Sequence, residues 1–201
     1  MLTKDQQGYL NTVFEDKITH ISPFDPATQT TAGEVITEIK SVFPSVEIFY
    51  TGSSKLGIAG ENDIDLLIIS TTSLEECFKY MKDKYGEPTQ GNLPLKFIKW
   101  EFIQNTFPVE LHLTDILTPN LQEWIKTEQI LEENSDLRSE YERIKLESNG
   151  ISKKEYIKRK FEFWNRISGN RSRRLQVSSL DTRTLRINFP FDLSWKKASD
   201  S

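Results

Sequence analysis

The run TGSSKLGIAGENDIDLLIIS at 51–70 constrains this chain more than any other stretch. A turn of glycine and small hydroxylated residues leads to Asp63-Ile64-Asp65, and the second aspartate runs straight into Leu66-Leu67-Ile68-Ile69. Such an apolar run predicts a strand over 63–70, buried on both faces. Side chains alternate along a strand, so Asp63 and Asp65 share a face. Two carboxylates there repel each other unless a cation sits between them. Just upstream, VEIFYTG at 46–52 predicts a strand that delivers the chain to the turn.

A second alternating run supplies a third acid. In FPVELHLTD, 107–115, Phe107, Val109, Leu111 and Leu113 face one way, and Glu110 and His112 the other. If this strand neighbours 63–70, Glu110 joins Asp63 and Asp65 on one patch. Hard, oxygen-liganded Mg²⁺ (or Mn²⁺) would relieve the repulsion and leave positions open for phosphate oxygens. Two such ions about 3.5–4 Å apart would clamp the attacking and leaving oxygens of a phosphoryl transfer. Gly52 allows close backbone approach. The hydroxyls of Ser53 and Ser54, with the N–H groups of a following helical turn, can hold a phosphate. His112 is expected to pack or hydrogen-bond beside the sheet.

The remaining segments set the fold class. Helices are expected over 3–20, from Ala27 to Val42, and over 73–86, where Leu74, Cys77, Phe78 and Met81 form an inner face. LKFIKWEFI, 95–103, alternates between Lys99, Glu101 and their neighbours on one face and Ile98, Trp100 and Phe102 on the other. Gln104-Asn105-Thr106 then makes a short turn to 107–115, which predicts an antiparallel hairpin. After Thr118-Pro119 the character becomes helical, over 119–133, 135–148 and 152–168. This order argues an α+β fold with a small mixed β-sheet flanked by helices and a helical C-terminal half. The expected divisions are an α/β core over 1–118, a helical segment over 119–169 and a basic tail over 170–201.

Here the residues resemble a known family. GSSKLG, then DID, then VEL match the G-S-x-x-x-G, D-x-D and later acidic strand of the DNA polymerase β superfamily of nucleotidyltransferases. GSS, GIAGENDID and ELHL, followed by Arg138…Tyr141…Lys145 and Tyr156…Lys160-Phe161, resemble the GrpB-like branch of that superfamily over roughly 35–168. The proline usual in the branch's glycine loop is absent, and Glu61 stands where it has lysine. The resemblance implies a nucleotidyltransferase fold, with Asp63 and Asp65 holding metal and Glu110 as third carboxylate. It implies that Gly52 and Ser53 hold a triphosphate, with Lys145 and Lys160 as further nucleotide contacts. Without it, Tyr141, Lys145, Tyr156 and Lys160 read most simply as packing tyrosines beside solvated lysines.

The expected activity is therefore Mg²⁺-dependent transfer of a nucleoside monophosphate from a nucleoside triphosphate to an acceptor, RNA or protein. The rivals are a non-catalytic nucleotide- or RNA-binding protein of the same fold and, less well matched, a D-x-D glycosyltransferase. Composition narrows the classes further. No apolar run approaches the roughly 20 residues of a membrane span, and the N-terminus lacks a secretory apolar segment. The lone Cys77 excludes an internal disulfide and fits a reducing, cytoplasmic compartment. The net charge of −4 conceals a basic end: 170–201 carries seven Lys/Arg against three Asp. Such a tail suits contact with nucleic acid.

Overall fold

Residues 2–175, apart from Glu15 and Thr72, are described by a computed structural model. They fall into two units: 22–118, and the chain up to Ile21 together with that from Pro119 onward. The first 21 residues, grouped by sequence with the α/β part, belong with the helices.

In the α/β unit, helix α2 (Ala27–Val42) follows helix α1 (Lys4–Leu10) of the other unit. Then come β1 (Glu47–Thr51), the short α3 (Gly52–Leu56), β2 (Ile64–Ile69), α4 (Leu74–Tyr85), β3 (Gln90–Asn92), β4 (Phe97–Gln104) and β5 (Phe107–Thr114). The five strands form one mixed sheet in the order β1-β2-β5-β4-β3. β2 runs parallel to β5, and the other pairs are antiparallel. This is the α+β class expected from the sequence. β3 is the strand that sequence reading does not find. Its Gln-Gly-Asn carries no apolar alternation, and it exists by pairing with Phe97–Lys99.

The two sheet faces differ in chemistry because alternation holds in every long strand. One face carries Ile64, Leu66, Ile68, Val109, Leu111, Leu113, Ile98 and Trp100, packed with Ala32, Val35 and Ile39 of α2 and Cys77 and Met81 of α4. That is the core of the unit. The opposite face carries a polar row, Thr51–Asp65–Glu110–Glu101, in cross-strand register. The next row is Phe49–Leu67–His112–Lys99. The hairpin turn has two residues, Asn105 and Thr106, both at positive φ (48° and 75°), as a type I′ turn requires. The sequence suggests three turn residues. The shorter loop is what places Lys99 opposite His112 and Glu101 opposite Glu110.

The helical unit contains α1, α5 (Pro119–Glu133), α6 (Ser135–Leu146) and α7 (Lys153–Leu175). Leu10 packs against Ile157 and Phe161 of α7. The expected helix over 3–20 stops at Leu10. A Thr3/Gln6 capping box starts it. The Thr12 N–H and hydroxyl then fold back onto the Tyr9 carbonyl, and Thr19 pairs with Ile151 and Gly150 instead of continuing a helix. Helix α7 passes the expected end at 168 and runs to Leu175; the tail beyond lies outside the described residues. Among the described residues no helix is long and apolar enough to cross a membrane.

Candidate active site

β1 ends at Thr51, and the chain turns at Gly52 with φ +85°. A side chain here would be strained by that angle, and its Cβ would also stand 2.5 Å from Asp65 Oδ2. The positive φ calls for glycine, and the Asp65 carboxylate occupies the space that a side chain would take. Ser53 and Ser54 follow in α3, both buried. The Ser54 hydroxyl donates to the Asp63 carbonyl at 2.7 Å, and the Ser54 carbonyl accepts from Gln29 Nε2 at 3.0 Å. Ser54 thus ties the small-residue turn to the start of the aspartate strand. Sequence reading assigns it to phosphate and does not find Gln29, whose role comes from α2 lying beside α3.

Asp65 and Glu110 are register partners on parallel neighbouring strands, and Asp63 stands two residues before Asp65 at the mouth of β2. Asp63 and Asp65 are half-buried. Both come near the buried Tyr50 hydroxyl: burial raises the Tyr50 pKa, and the charges of Asp65 and Asp63 add to that, against lowering by Ser54 and Thr28.

Glu110 has partners of its own. Its Oε1 lies 2.9 Å from His112 Nε2, and its Oε2 lies 2.7 Å from Lys99 Nζ. Lys99 Nζ also lies 2.6 Å from Glu101 Oε1. The His112 ring packs on Phe97, with centroids 5.2 Å apart. Burial alone would raise the Glu110 pKa, but His112 and Lys99 reverse this and hold it at about 2. Burial likewise opposes the Lys99 ammonium, yet Glu110 and Glu101 keep its pKa above the ordinary lysine range. The expected hydrogen-bonding role of His112 beside the sheet is the one observed. Lys99 is the residue that sequence reading misses, although its alternation with Glu101 and a two-residue turn would together have placed it.

Hard carboxylate oxygens are the chemistry that a divalent ion needs, and Asp63 and Asp65 supply them at the mouth of β2. Glu110 has a donor on each oxygen. Among the described residues, no three Asp, Glu, His or Cys side chains stand together closely enough to hold a metal ion.

The depressed Glu110 pKa predicts acid sensitivity. The unfolded chain, with its carboxyl near 4.5, binds more protons at acid pH than the native protein, with Glu110 at about 2. Stability from this group is present above pH 4.5 and lost as the pH falls toward 2. With a third of the side chain open to water, the loss should be about 1–2 kcal/mol. Urea titrations at pH 7 and pH 3 should show a smaller acid loss in Glu110→Gln than in wild type.

In the helical unit, α6 carries Tyr141 and Lys145 one turn apart, and α7 carries Tyr156 and Lys160 likewise. Lys145 is buried, not solvated as its sequence context suggests. Its Nζ donates to the Tyr156 hydroxyl at 2.9 Å and stands 4.9 Å from the Tyr141 ring centre. Burial opposes its charge, while Tyr141 and Tyr156 favour it and hold the pKa above the ordinary range. Lys160 Nζ stands 5.2 Å from the Tyr156 ring centre.

No protein-family model matches the sequence, and no curated protein does. Among solved structures the chain is similar to the conserved protein GrpB from Enterococcus faecalis, with 17% identity, a TM-score of 0.49, and 62% of this chain and 79% of that one covered. It is also similar to a cytoplasmic RNA terminal U-transferase, with 15% identity, a TM-score of 0.45, and 70% of this chain covered. This chain spans only 43% of that transferase. A chain of the GLD-2/RNP-8 complex matches with 14% identity and a TM-score of 0.39, over 98% of this chain and 80% of that one.

Proposed function

We propose that this chain is a nucleotidyltransferase that moves a nucleoside monophosphate from a nucleoside triphosphate to an acceptor hydroxyl, releasing pyrophosphate. The observation that carries this reading is the register of β2 with β5, which sets Asp65 beside Glu110, together with Gly52, whose bare Cα receives the Asp65 carboxylate. Asp63 and Asp65 are the residues that would hold Mg²⁺ or Mn²⁺. Bound there, the ion would polarise phosphoryl oxygens and make the acceptor hydroxyl more acidic. The Gly52-Ser53-Ser54 turn is the proposed phosphate-holding element. Ser54 acts by fixing the turn to Asp63. The acceptor class is RNA or protein.

The test is incubation of the full chain with each labelled nucleoside triphosphate, Mg²⁺ or Mn²⁺, and cell RNA or protein. Label should enter a macromolecule with wild type and not with the Asp63→Ala/Asp65→Ala double variant. Nucleotide binding with no transfer under any of these conditions would favour the non-catalytic rival. No binding at all would end the reading.

A further inference from the structure

The helical unit holds a short two-stranded ladder at the start of α7. The Lys153 N–H donates to the Lys17 carbonyl at 2.6 Å, and the Thr19 N–H donates to the Ile151 carbonyl at 2.9 Å. These bonds flank the antiparallel bridge of Ile18 with Ser152. Residues facing each other in such a pair exchange no hydrogen bond, so the Ile18 N–H and C=O point away from Ser152, to the outer edge. Neither has a hydrogen-bond partner among the described residues. Thr19 is buried, and Ile18, on the opposite side of the segment, is 48% exposed. Phe14, earlier in the same segment, is 70% exposed. An open strand edge with apolar side chains is a surface that proteins cover.

The sequence beyond Leu175, outside the described residues, supplies a match to that edge. In LRINFPFDLSW, 185–195, every second residue from Leu185 to Trp195 is large and apolar. That is the pattern of a strand with one buried face. Most of the tail's basic residues lie outside this run, at Arg171, Arg173, Arg174, Lys196 and Lys197. Pro190 falls among the polar residues of the alternation. Backbone N–H groups also alternate from side to side along a strand. The donor that Pro190 lacks would therefore face solvent while the amides of the apolar residues face a partner strand. Paired antiparallel with Ile18, one of those apolar residues exchanges both hydrogen bonds with it and lays its side chain on the same face. The reach also fits. Helix α7 begins beside Ser152 and ends at Leu175, about 34 Å farther on. About ten residues of extended chain span that distance, and Ile187 and Phe189 stand farther than this past Leu175.

We propose that the run 185–195 docks within its own chain as an added antiparallel strand on the Ile18 edge, with Ile187 or Phe189 opposite Ile18. Tethering through α7 raises the local concentration of the run at this edge. Part of the basic tail is then a cover for the helical unit.

Amide hydrogen exchange, followed residue by residue by nuclear magnetic resonance in the full chain, tests this. The Ile18 amide should exchange at least about tenfold more slowly in wild type than in Ile187→Asp/Phe189→Asp. The Thr19 amide, bonded to Ile151, should stay protected in both, which shows the variant folded. Asn188→Asp, which adds a charge on the polar side of the run, should leave Ile18 protected. Equal Ile18 exchange in wild type and the double variant would overturn the docking. Wild type alone gives a second reading: a nuclear Overhauser contact between the side chains of Ile18 and Ile187 or Phe189 is expected, and its absence would overturn the proposal whatever the variants do. Protection of Ile18 that fades on dilution would give the edge to the tail of a second copy, and would overturn docking within one chain.

Discussion

Asp65→Asn should reduce nucleotidyl transfer by about 10³-fold or more while leaving the fold intact. Metal-held charge in a phosphoryl transfer contributes several kcal/mol to the transition state, and each 1.36 kcal/mol is about tenfold in rate. The asparagine keeps the shape of the side chain that lies against Gly52 and the strand register with Glu110. What it removes is the charge. Single-turnover transfer of label from the nucleoside triphosphate, with urea unfolding as a control, separates the two effects. A variant that unfolds like wild type and transfers like wild type would remove Asp65 from the chemistry.

The largest expected effect on stability is that of Trp100→Ala. Trp100 is 1% exposed, in the middle of β4. Its indole N–H donates to the Gly86 carbonyl at 3.0 Å, and its ring lies 5.8 Å from that of Phe78 on α4. Truncation leaves a cavity costing about 3–5 kcal/mol, and the abandoned Gly86 carbonyl adds about 1 kcal/mol. Domains of this size are stable by about 5–15 kcal/mol, so the α/β unit would be near its limit. Urea titration followed by circular dichroism should show the midpoint fall steeply, and Trp100→Phe should recover about half of the loss by refilling the cavity without the N–H.

The two predictions draw on opposite faces of one sheet, and the sequence distinguished those faces unaided. Alternation in 95–103 and 107–115 separates Trp100 and Leu111 from Lys99, Glu110 and His112, because successive side chains point to opposite sides of a strand. The same rule set Asp63 with Asp65, and the buried run after them marked a central strand. Helix α2 was legible from Ala27 to Val42, where apolar spacing and flanking prolines agree. Helix α1 was not. Its apolar spacing continues past Leu10, but the segment around Thr19 finds its partners at Gly150 and Ile151, some 130 residues away in the chain. β3 is likewise written in its partner's edge, not in its own residues.

The candidate site divides in the same manner. By itself the sequence determined the types of group present: a glycine-serine turn, two aspartates on one strand face, and a third acid on a later alternating strand. Each of these is a local property, set by backbone geometry within a few residues. Only the tertiary structure decided what those groups meet. It brought Asp65 against Gly52, turned the Ser54 hydroxyl onto the Asp63 carbonyl, buried Lys145 on Tyr156, and gave Glu110 to Lys99 and His112. The last pairing hangs on a two-residue turn at Asn105-Thr106. A hairpin register shifted by one residue moves every side chain to the other face, and one shifted by two would set a different pair beside Glu110.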